Sequence, residues 1–183
     1  MITSDLSGSD TSVVPKVFID TMVLIYHLVG CKEELSKKTE AFLEDLEKIK
    51  YRGAITTFTK AEYLAVAKKW FSRQQGRKPS RAEQDRIESQ LESFIQDMGL
   101  EVYDADRLIE QQDNISVFAD CGRIVKESRP IKGSDDHWLM VGAADSIVIK
   151  LAEYAYGDYL ATFDDSLQGL SARLRPLDLR RCY

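Results

Sequence analysis

Apolar and polar positions alternate along this chain between two kinds of segment. Apolar runs of about four to eight residues are typical of buried strands, whereas longer stretches with apolar residues three and four positions apart are typical of amphipathic helices. The predicted strands are Lys16–Asp20, Ala54–Thr57, Leu100–Tyr103, Tyr159–Thr162 and a weaker Leu174–Leu179. Pro176 lacks the N–H that a central strand donates, so the last strand is predicted to lie at an edge of the sheet.

Helix-like stretches separate these strands. One helix is predicted over about residues 33–50, and another begins near Thr59. A third follows Ser80, which forms a capping-box pattern with Glu83, and ends at Gly99. The apolar positions that define the faces of these helices are Leu35, Phe42, Leu43, Leu46, Ile49, Tyr63, Val66, Ala67, Trp70, Ile87, Leu91, Phe94, Ile95 and Met98.

The second half of the chain continues the alternation. Less regular helical segments are predicted between Asp106 and Glu127, and Pro130 and Gly133 mark a loop. The nearly uncharged stretch from Trp138 to Ile149 is predicted to form one apolar helix, with Asp145 in its interior. Strands separated by helices imply right-handed crossovers, so we expect an α/β fold, a three-layer α/β/α sandwich with a central parallel sheet of about five strands. Ligands of such folds gather beyond the carboxyl ends of the strands.

Length and composition fit one globular domain. With 183 residues, 44% of them hydrophobic and 30% charged, we expect a single domain over residues 16–183 after a flexible, polar tail at residues 1–15. The tail has no signal-peptide pattern, and the longest apolar run is too short to span a bilayer. Cys31, Cys121 and Cys182 are odd in number and scattered, which favours reduced thiols in a cytoplasmic protein.

The net charge of −5 argues against a broad basic surface that grips nucleic acid. Cations nevertheless cluster in two places along the sequence. One cluster comprises Arg73, Arg77, Lys78 and Arg81, and the other comprises Arg173, Arg175, Arg180 and Arg181. A solvated surface is the simplest interpretation of both clusters.

Four carboxylates stand where apolar or neutral residues are the norm. Asp20 and Asp164 follow predicted strands, Glu62 lies early in the second helix, and Asp145 interrupts an apolar stretch. An unpaired buried charge costs several kcal/mol, so such residues persist mainly where a cation or hydrogen bonds compensate them. All-oxygen ligands suit Mg²⁺ or Mn²⁺ rather than zinc. The pattern therefore predicts a carboxylate metal site of the kind that hydrolyses phosphodiesters.

Each acid also has a purely structural interpretation. Asp20 could cap the short segment that follows it, and Asp164 or Asp165 could stabilise the start of a helix. Glu62 would stand at the third helical position if Thr59 capped its helix, so a capping box could explain it. Such an explanation is hardest to apply to Asp145, because it is predicted to lie in the interior of a helix, where caps do not occur.

These motifs resemble those of the PIN-domain nucleases. The matching pieces are Val17-Phe18-Ile19-Asp20-Thr21 followed by Val23-Leu24-Ile25, then Thr59-Lys60-Ala61-Glu62, Ala144-Asp145-Ser146-Ile147 and Ala161-Thr162-Phe163-Asp164. Their order and local context match over about residues 16–179. The resemblance implies a fold that gathers four acids around Mg²⁺ or Mn²⁺, with a supporting hydroxyl and an accessory acid. The four acids are Asp20, Glu62, Asp145 and Asp164, the hydroxyl is that of Thr162, and the accessory acid is Asp165.

The resemblance also implies an activity and partners. We expect a metal-dependent endoribonuclease that cuts RNA, acting as the toxin of a toxin and antitoxin pair, with a small antitoxin protein as partner and a homodimer as the assembly. The alternative is a catalytically inactive PIN-like module that binds protein or RNA, and metal dependence separates the two. A phosphate-transfer enzyme is disfavoured, because the chain has no GxxxxGK[ST] loop and Asp20-Thr21-Met22 lacks the second aspartate of a DxD motif.

Two features depart from the family pattern. Met22 stands where the family often has Asn or Ser, which removes one polar group beside Asp20. The segment between Glu62 and Asp145 is also longer than in a compact toxin, with extra sequence expected in the helical pair and in residues 104–133. These differences bear on metal binding and on the choice of substrate or partner.

Several other residues are expected to be structural. His27 and His137 have no partner at a recognisable catalytic spacing, so neither is predicted to be a base or a ligand. Tyr63, Trp70 and Phe71 could stack on bases, but their helical spacing favours packing in the core or in a dimer.

Overall fold

A five-stranded parallel sheet forms the centre of the computed structural model, which describes residues 14–30, 32–48, 50–112, 114–132, 138–169 and 173–183. The strands are β1 (Lys16–Ile19), β2 (Arg52–Thr56), β3 (Glu101–Tyr103), β4 (Ile131–Lys132), β5 (Trp138–Leu139), β6 (Tyr159–Thr162) and β7 (Arg175–Asp178). The main sheet has the order β3-β2-β1-β6-β7, and β4 and β5 form a separate antiparallel pair. The predicted parallel sheet is confirmed, and Pro176 lies in an edge strand as expected.

Helices cover both faces of the sheet. They are α1 (Thr21–Leu28), α2 (Glu33–Glu47), α3 (Thr57–Gln75), α4 (Arg81–Asp97), α5 (Ala105–Glu110), α6 (Asn114–Glu127), α7 (Ala143–Tyr154) and α8 (Leu179–Cys182), with a 3-10 helix at Asp165–Gly169. Because successive strand residues point to opposite faces, Val17 and Ile19 pack with α1 to α4, whereas Phe18 packs with α5 to α7. Two apolar clusters on either side of one sheet make the predicted three layers.

The helix pair α3 and α4 follows its local sequence signals. Ser80 Oγ accepts a hydrogen bond from the Glu83 backbone N–H at 3.3 Å, and Glu83 Oε2 accepts one from the Ser80 N–H at 2.7 Å, which confirms the capping box. Helix α3 begins at Thr57 rather than near Thr59. The reason is that the Thr56 hydroxyl caps it, accepting the Thr59 N–H at 3.1 Å.

The predicted apolar helix over residues 138–149 is wrong in its first half. The structure has the short strand β5 there, and α7 begins only at Ala143, after an extended Gly142 with φ −79° and ψ 168°. Asp145 therefore lies in the first turn of α7 and not in a helix interior. A continuous apolar run shows neither the spacing typical of a helix nor the alternation typical of a strand, so the sequence could not show where the strand ends and the helix begins.

Other boundaries differ by a few residues. Helix α1 was not expected as a helix, because its buried positions Val23–Tyr26 are consecutive and show no amphipathic pattern. Helix α2 ends at Glu47, before the predicted end. The predictions for Ile49, Gly133, His137 and Cys31, and for nearly all of the tail, lie outside the described residues. Within the described residues, no helix has the length and apolar character that crossing a bilayer requires.

Candidate carboxylate site

The carboxyl ends of β1 and β6 bring Asp20 and Asp164 to one edge of the sheet. The two strands are neighbours, with Ile19 beside Ala161, and the Asp20 N–H donates to the Ala161 carbonyl at 3.0 Å. Thr162, the last residue of β6, therefore lies next to Asp20. These positions follow from the parallel register, as the sequence pattern predicted.

The Thr162 hydroxyl connects the two acids. It donates to Asp20 Oδ2 at 2.8 Å and accepts the Asp164 backbone N–H at 3.0 Å. Thr162 is 1% exposed, so this contact is sheltered from water. The geometry is that of a hydroxyl that orients Asp20, which is the supporting role the sequence motif suggested.

Asp20 is not a helix cap. It occupies the N-cap position of α1, but its side chain makes no capping hydrogen bond. The pKa of Asp20 is raised from 3.8 to about 7, mainly by burial and also by the negative charges of Asp145 and Glu62, while hydrogen bonds from Thr162 and the Thr21 backbone oppose the rise. The capping interpretation is therefore wrong, and Asp20 stands beside two other acids instead.

Glu62 lies in the second turn of α3, because that helix starts at the Thr56 cap. The capping-box interpretation of Glu62 is therefore wrong. Its Oε2 instead accepts a hydrogen bond from the hydroxyl of Thr21, 2.9 Å away in the first turn of α1. Burial raises the pKa of Glu62, and the charge of Asp145 raises it further. Thr21 is a supporting residue that sequence reasoning missed.

Asp145 is anchored to the start of its own helix. Its Oδ2 accepts the Gly142 backbone N–H at 3.0 Å, so the argument that no cap-like contact could explain it is wrong. Burial raises the pKa of Asp145, and the nearby charge of Asp164 raises it too. A Cβ at position 142 would lie 2.9 Å from Asp145 Oδ2, so a larger residue there would require the carboxylate to shift.

Asp164 and Asp165 differ in their surroundings. Asp164 Oδ1 accepts the Ser166 backbone N–H at 2.7 Å, at the start of the 3-10 helix. Asp165 instead forms an ion pair with Arg180 of α8. The next residue, Ser166, is 4% exposed, and its hydroxyl is a buried side-chain oxygen without a hydrogen-bond partner in the described structure.

Asp20, Glu62, Asp145 and Asp164, which we call the carboxylate site, are linked by their electrostatics. Asp145 raises the pKa of both Asp20 and Glu62, and Asp164 raises that of Asp145. One oxygen of each acid is held by a hydroxyl or a backbone N–H. Among the described ion pairs, none joins a lysine or arginine to these acids. In the same residues, no three acids, histidines or cysteines are close enough together to hold an ion as they stand.

Several other residues singled out by the sequence make apolar or ring contacts. His27 is partly buried, with its ring centroid 4.9 Å from that of Phe94. Tyr63 and Trp70 pack in the apolar cluster of the first helical layer, as expected, and so does Met22. Met22 thus makes apolar contacts in place of the polar contact that Asn or Ser would offer.

Comparisons with known proteins agree with this architecture. The chain has a solved structural neighbour, the crystal structure of VapBC2 from Rickettsia felis bound to a DNA fragment from their promoter. The two share 14% sequence identity and a TM-score of 0.54, over 88% of this chain and 96% of the other. The search of curated proteins gave no match. A family model described as PIN domain matches residues 17–172, most of the chain, so the protein belongs to the PIN domain family.

Proposed function

We propose that this protein is a metal-dependent ribonuclease that hydrolyses RNA phosphodiester bonds at the carboxylate site. The observation that carries the proposal is the electrostatic coupling of four acids from separate elements of a PIN domain, two following β1 and β6 and two in α3 and α7. Three of them have pKa values raised by burial and by other acids of the site. Perturbed acids gathered at strand ends are typical of functional sites.

The donor set fits Mg²⁺ or Mn²⁺. All four groups are carboxylates, hard oxygen ligands that suit these ions, and the site contains no cysteine or histidine. Two carboxylates about 4 Å apart repel by roughly 4 kcal/mol at an effective dielectric constant of 20, which a cation would reverse. Bound ions of this type supply activation of water and stabilisation of the leaving oxygen.

The protein's own contribution is orientation. Thr162 holds Asp20, Thr21 holds Glu62, and backbone N–H groups hold the other two acids. Neutral donors hold each carboxylate without forming an ion pair with it, so a bound cation would be its charge partner. A site meant only for stability would pair such acids with Lys or Arg.

A PIN-like module without catalysis is the second candidate. The observation that favours it is the spacing of the four acids, which in the described structure do not form a cluster tight enough for an ion. Such a module would keep the fold and would bind protein or RNA without cutting it. The two candidates differ in whether RNA is cleaved when Mn²⁺ is supplied.

The proposal extends to partners. The VapBC2 neighbour is a complex bound to promoter DNA, which supports a small antitoxin as partner of this chain. A homodimer and a cytoplasmic setting are part of the same proposal. Light scattering of the purified protein at micromolar concentration tests the dimer, and a monomeric mass would contradict it.

Cleavage of a mixed RNA panel tests the ribonuclease proposal. The wild type is compared in Mn²⁺, Mg²⁺ and EDTA with Asp145→Asn, whose amide oxygen can still accept the Gly142 N–H, so that α7 keeps its first turn. Asp85→Asn, at an exposed position of α4, is the matched control for loss of one charge. We expect metal-dependent cleavage by the wild type and the control only. Equal cleavage by all three proteins would overturn the assignment of the site, and binding without cleavage would favour the second candidate.

A further inference from the structure

An open surface pocket of about 300 Å³ lies where the end of α3 meets the turn into α4. Its lining residues are Lys68, Lys69, Ser72, Lys78, Pro79 and Gln84. Three of these six residues carry a positive charge, and none carries a negative one. We call Lys68, Lys69 and Lys78 the lysine pocket.

The lysines of this pocket are uncompensated. Within the described residues, none of the three forms an ion pair, whereas Lys37 in α2 and Lys48, directly after it, pair with carboxylates at 2.7 and 3.0 Å. Three like charges around one hollow repel one another, so the arrangement favours an anion. In a protein of net charge −5, such a concentration of positive charge is a local exception.

The turn that places Lys78 is itself well fixed. Arg77 forms an ion pair with Glu83 at 2.6 Å, and its guanidinium lies 5.3 Å from the centroid of the Phe71 ring. Glu83 also completes the capping box of α4. The one acid of this turn is therefore already engaged, and the lysines beside it are left for another partner.

The lysine pocket lies on the same helix as one acid of the carboxylate site. Glu62 and Lys69 are both in α3, seven residues apart, so they share a face and lie about 10 Å apart along the axis. Nucleotides rise about 3.4 Å each when stacked in a duplex and more in an extended single strand, so this distance corresponds to at most roughly three nucleotides. A strand whose scissile phosphate lay at Glu62 could therefore place a neighbouring phosphate at Lys69.

We propose that the lysine pocket binds a backbone phosphate of the RNA that flanks the carboxylate site. This inference rests on the proposed function for its ligand, since the RNA proposed to be cut at the carboxylate site is the polyanion whose flanking phosphate would lie beside α3. Lysine ammonium groups act as point charges toward phosphate and do not read bases, so the pocket contributes affinity and position but no sequence preference.

Two variants of equal charge test the pocket. The pocket variant combines Lys68→Gln, Lys69→Gln and Lys78→Gln. Its matched control combines Lys37→Gln, Lys48→Gln and Lys126→Gln, at exposed positions in α2, directly after α2 and in α6. Binding of a fluorescent single-stranded RNA is measured in EDTA by anisotropy between 50 and 200 mM salt. Circular dichroism and thermal melting check that both variants are folded.

We expect the pocket variant alone to bind RNA more weakly and with a shallower salt dependence. Removal of one phosphate contact lowers the slope of log affinity against log salt by about 0.7, so the wild type should lose about threefold more affinity than the variant over this range. Equally weaker RNA binding by both variants would mean that only the overall charge of the protein matters, which would overturn the inference. Unchanged RNA binding by the pocket variant would also overturn the inference, and it is the result expected if the pocket bound an acidic protein. A wild-type protein that binds no RNA would overturn it as well.

This experiment separates the inference from the proposed function. Binding in EDTA does not depend on cleavage, so a pocket-dependent affinity without metal-dependent cleavage would support the pocket and count against the ribonuclease. Metal-dependent cleavage, together with RNA binding that does not depend on the pocket lysines, would support the ribonuclease and count against the pocket.

Discussion

The two ends of the parallel sheet treat charge in opposite ways. At the end where the strands begin, Arg52 pairs with Glu101 at 2.6 Å, and Tyr103 donates to the same carboxylate at 2.6 Å. Lys16 adds its ammonium group, which contacts the Tyr103 hydroxyl and donates to the Ala155 carbonyl at 3.0 Å. At the end where the strands finish, the carboxylate site gathers acids that only neutral donors hold.

The pKa values show the contrast. Hydrogen bonding from Tyr103 lowers the pKa of Glu101, with Arg52 and Lys16 adding to the effect. Burial and, to a smaller extent, the neighbouring acids raise the pKa of Asp20 to about 7. The first arrangement stabilises the folded chain, whereas the second costs stability and is typical of a site that binds a cation. The difference suggests that the sheet separates its structural charges from its functional ones.

Asp20→Asn should give the largest effect on activity and the least harm to folding. Loss of one charged ligand is expected to lower metal-dependent cleavage at least about 100-fold, because charge stabilisation in the transition state is lost. Removal of an uncompensated acid should leave the free energy of unfolding unchanged or raise it by about 1 kcal/mol. Cleavage assays and urea titrations of the two proteins measure both quantities. A variant with wild-type cleavage would place Asp20 outside the catalytic group.

Thr162→Val should weaken the site by removing the hydroxyl that holds Asp20. The valine keeps the β-branched shape but cannot hold Asp20 or accept the Asp164 N–H, so we expect roughly 10- to 100-fold lower cleavage. The lost hydrogen bonds should lower the free energy of unfolding by about 1 kcal/mol or more. Thr162→Ser restores the hydroxyl and serves as the control. If serine failed to rescue cleavage while the protein stayed folded, packing rather than the hydroxyl would be the role of Thr162.

The stability of the metal-free protein should fall as pH rises toward 7. The folded pKa of Asp20 lies above its ordinary 3.8, so the stabilising effect of the proton is full below about pH 4 and is lost as pH rises through about 7. Added Mn²⁺ should consequently raise the melting temperature more at pH 8 than at pH 5. Scanning fluorimetry in EDTA and in Mn²⁺ measures this, with Asp20→Asn as the comparison. The same Mn²⁺ shift in wild type and variant at both pH values would contradict the prediction.

Glu101→Gln should give the smallest effect, and it should change stability rather than cleavage. The substitution removes the acid of the Arg52–Glu101 pair, so we expect a loss of up to about 1 kcal/mol in the free energy of unfolding, since this pair is partly exposed. Cleavage should stay at the wild-type level. A drop in cleavage without a change in stability would show that the two ends of the sheet are not separate in function.

Local signals explain which parts of the fold could be predicted. The Ser80 and Glu83 capping box lies within one turn, and its geometry was predictable because all its partners are close in sequence. The start of α7 was not, because Gly142 sits inside a long apolar run that offers no period to detect. Helix α1 was missed for a related reason, since its buried positions are consecutive.

The site was predictable where the sheet dictates it. Asp20 and Thr162 come together because neighbouring parallel strands end at the same edge, which the order of elements implies. The contact between Thr21 and Glu62 joins residues 41 positions apart through the packing of α1 against α3, and no pattern in either segment signals it. Burial likewise had to come from the structure, because the rise in the pKa of Asp20 depends on neighbours from several elements.

The Thr162 hydroxyl makes the two oxygens of Asp20 unequal. Its oxygen accepts the Asp164 N–H, and its hydrogen is donated to Asp20 Oδ2. The register of β1 and β6, which sets Thr162 beside Asp20, thereby turns a symmetric carboxylate into an unsymmetric ligand for water or a cation.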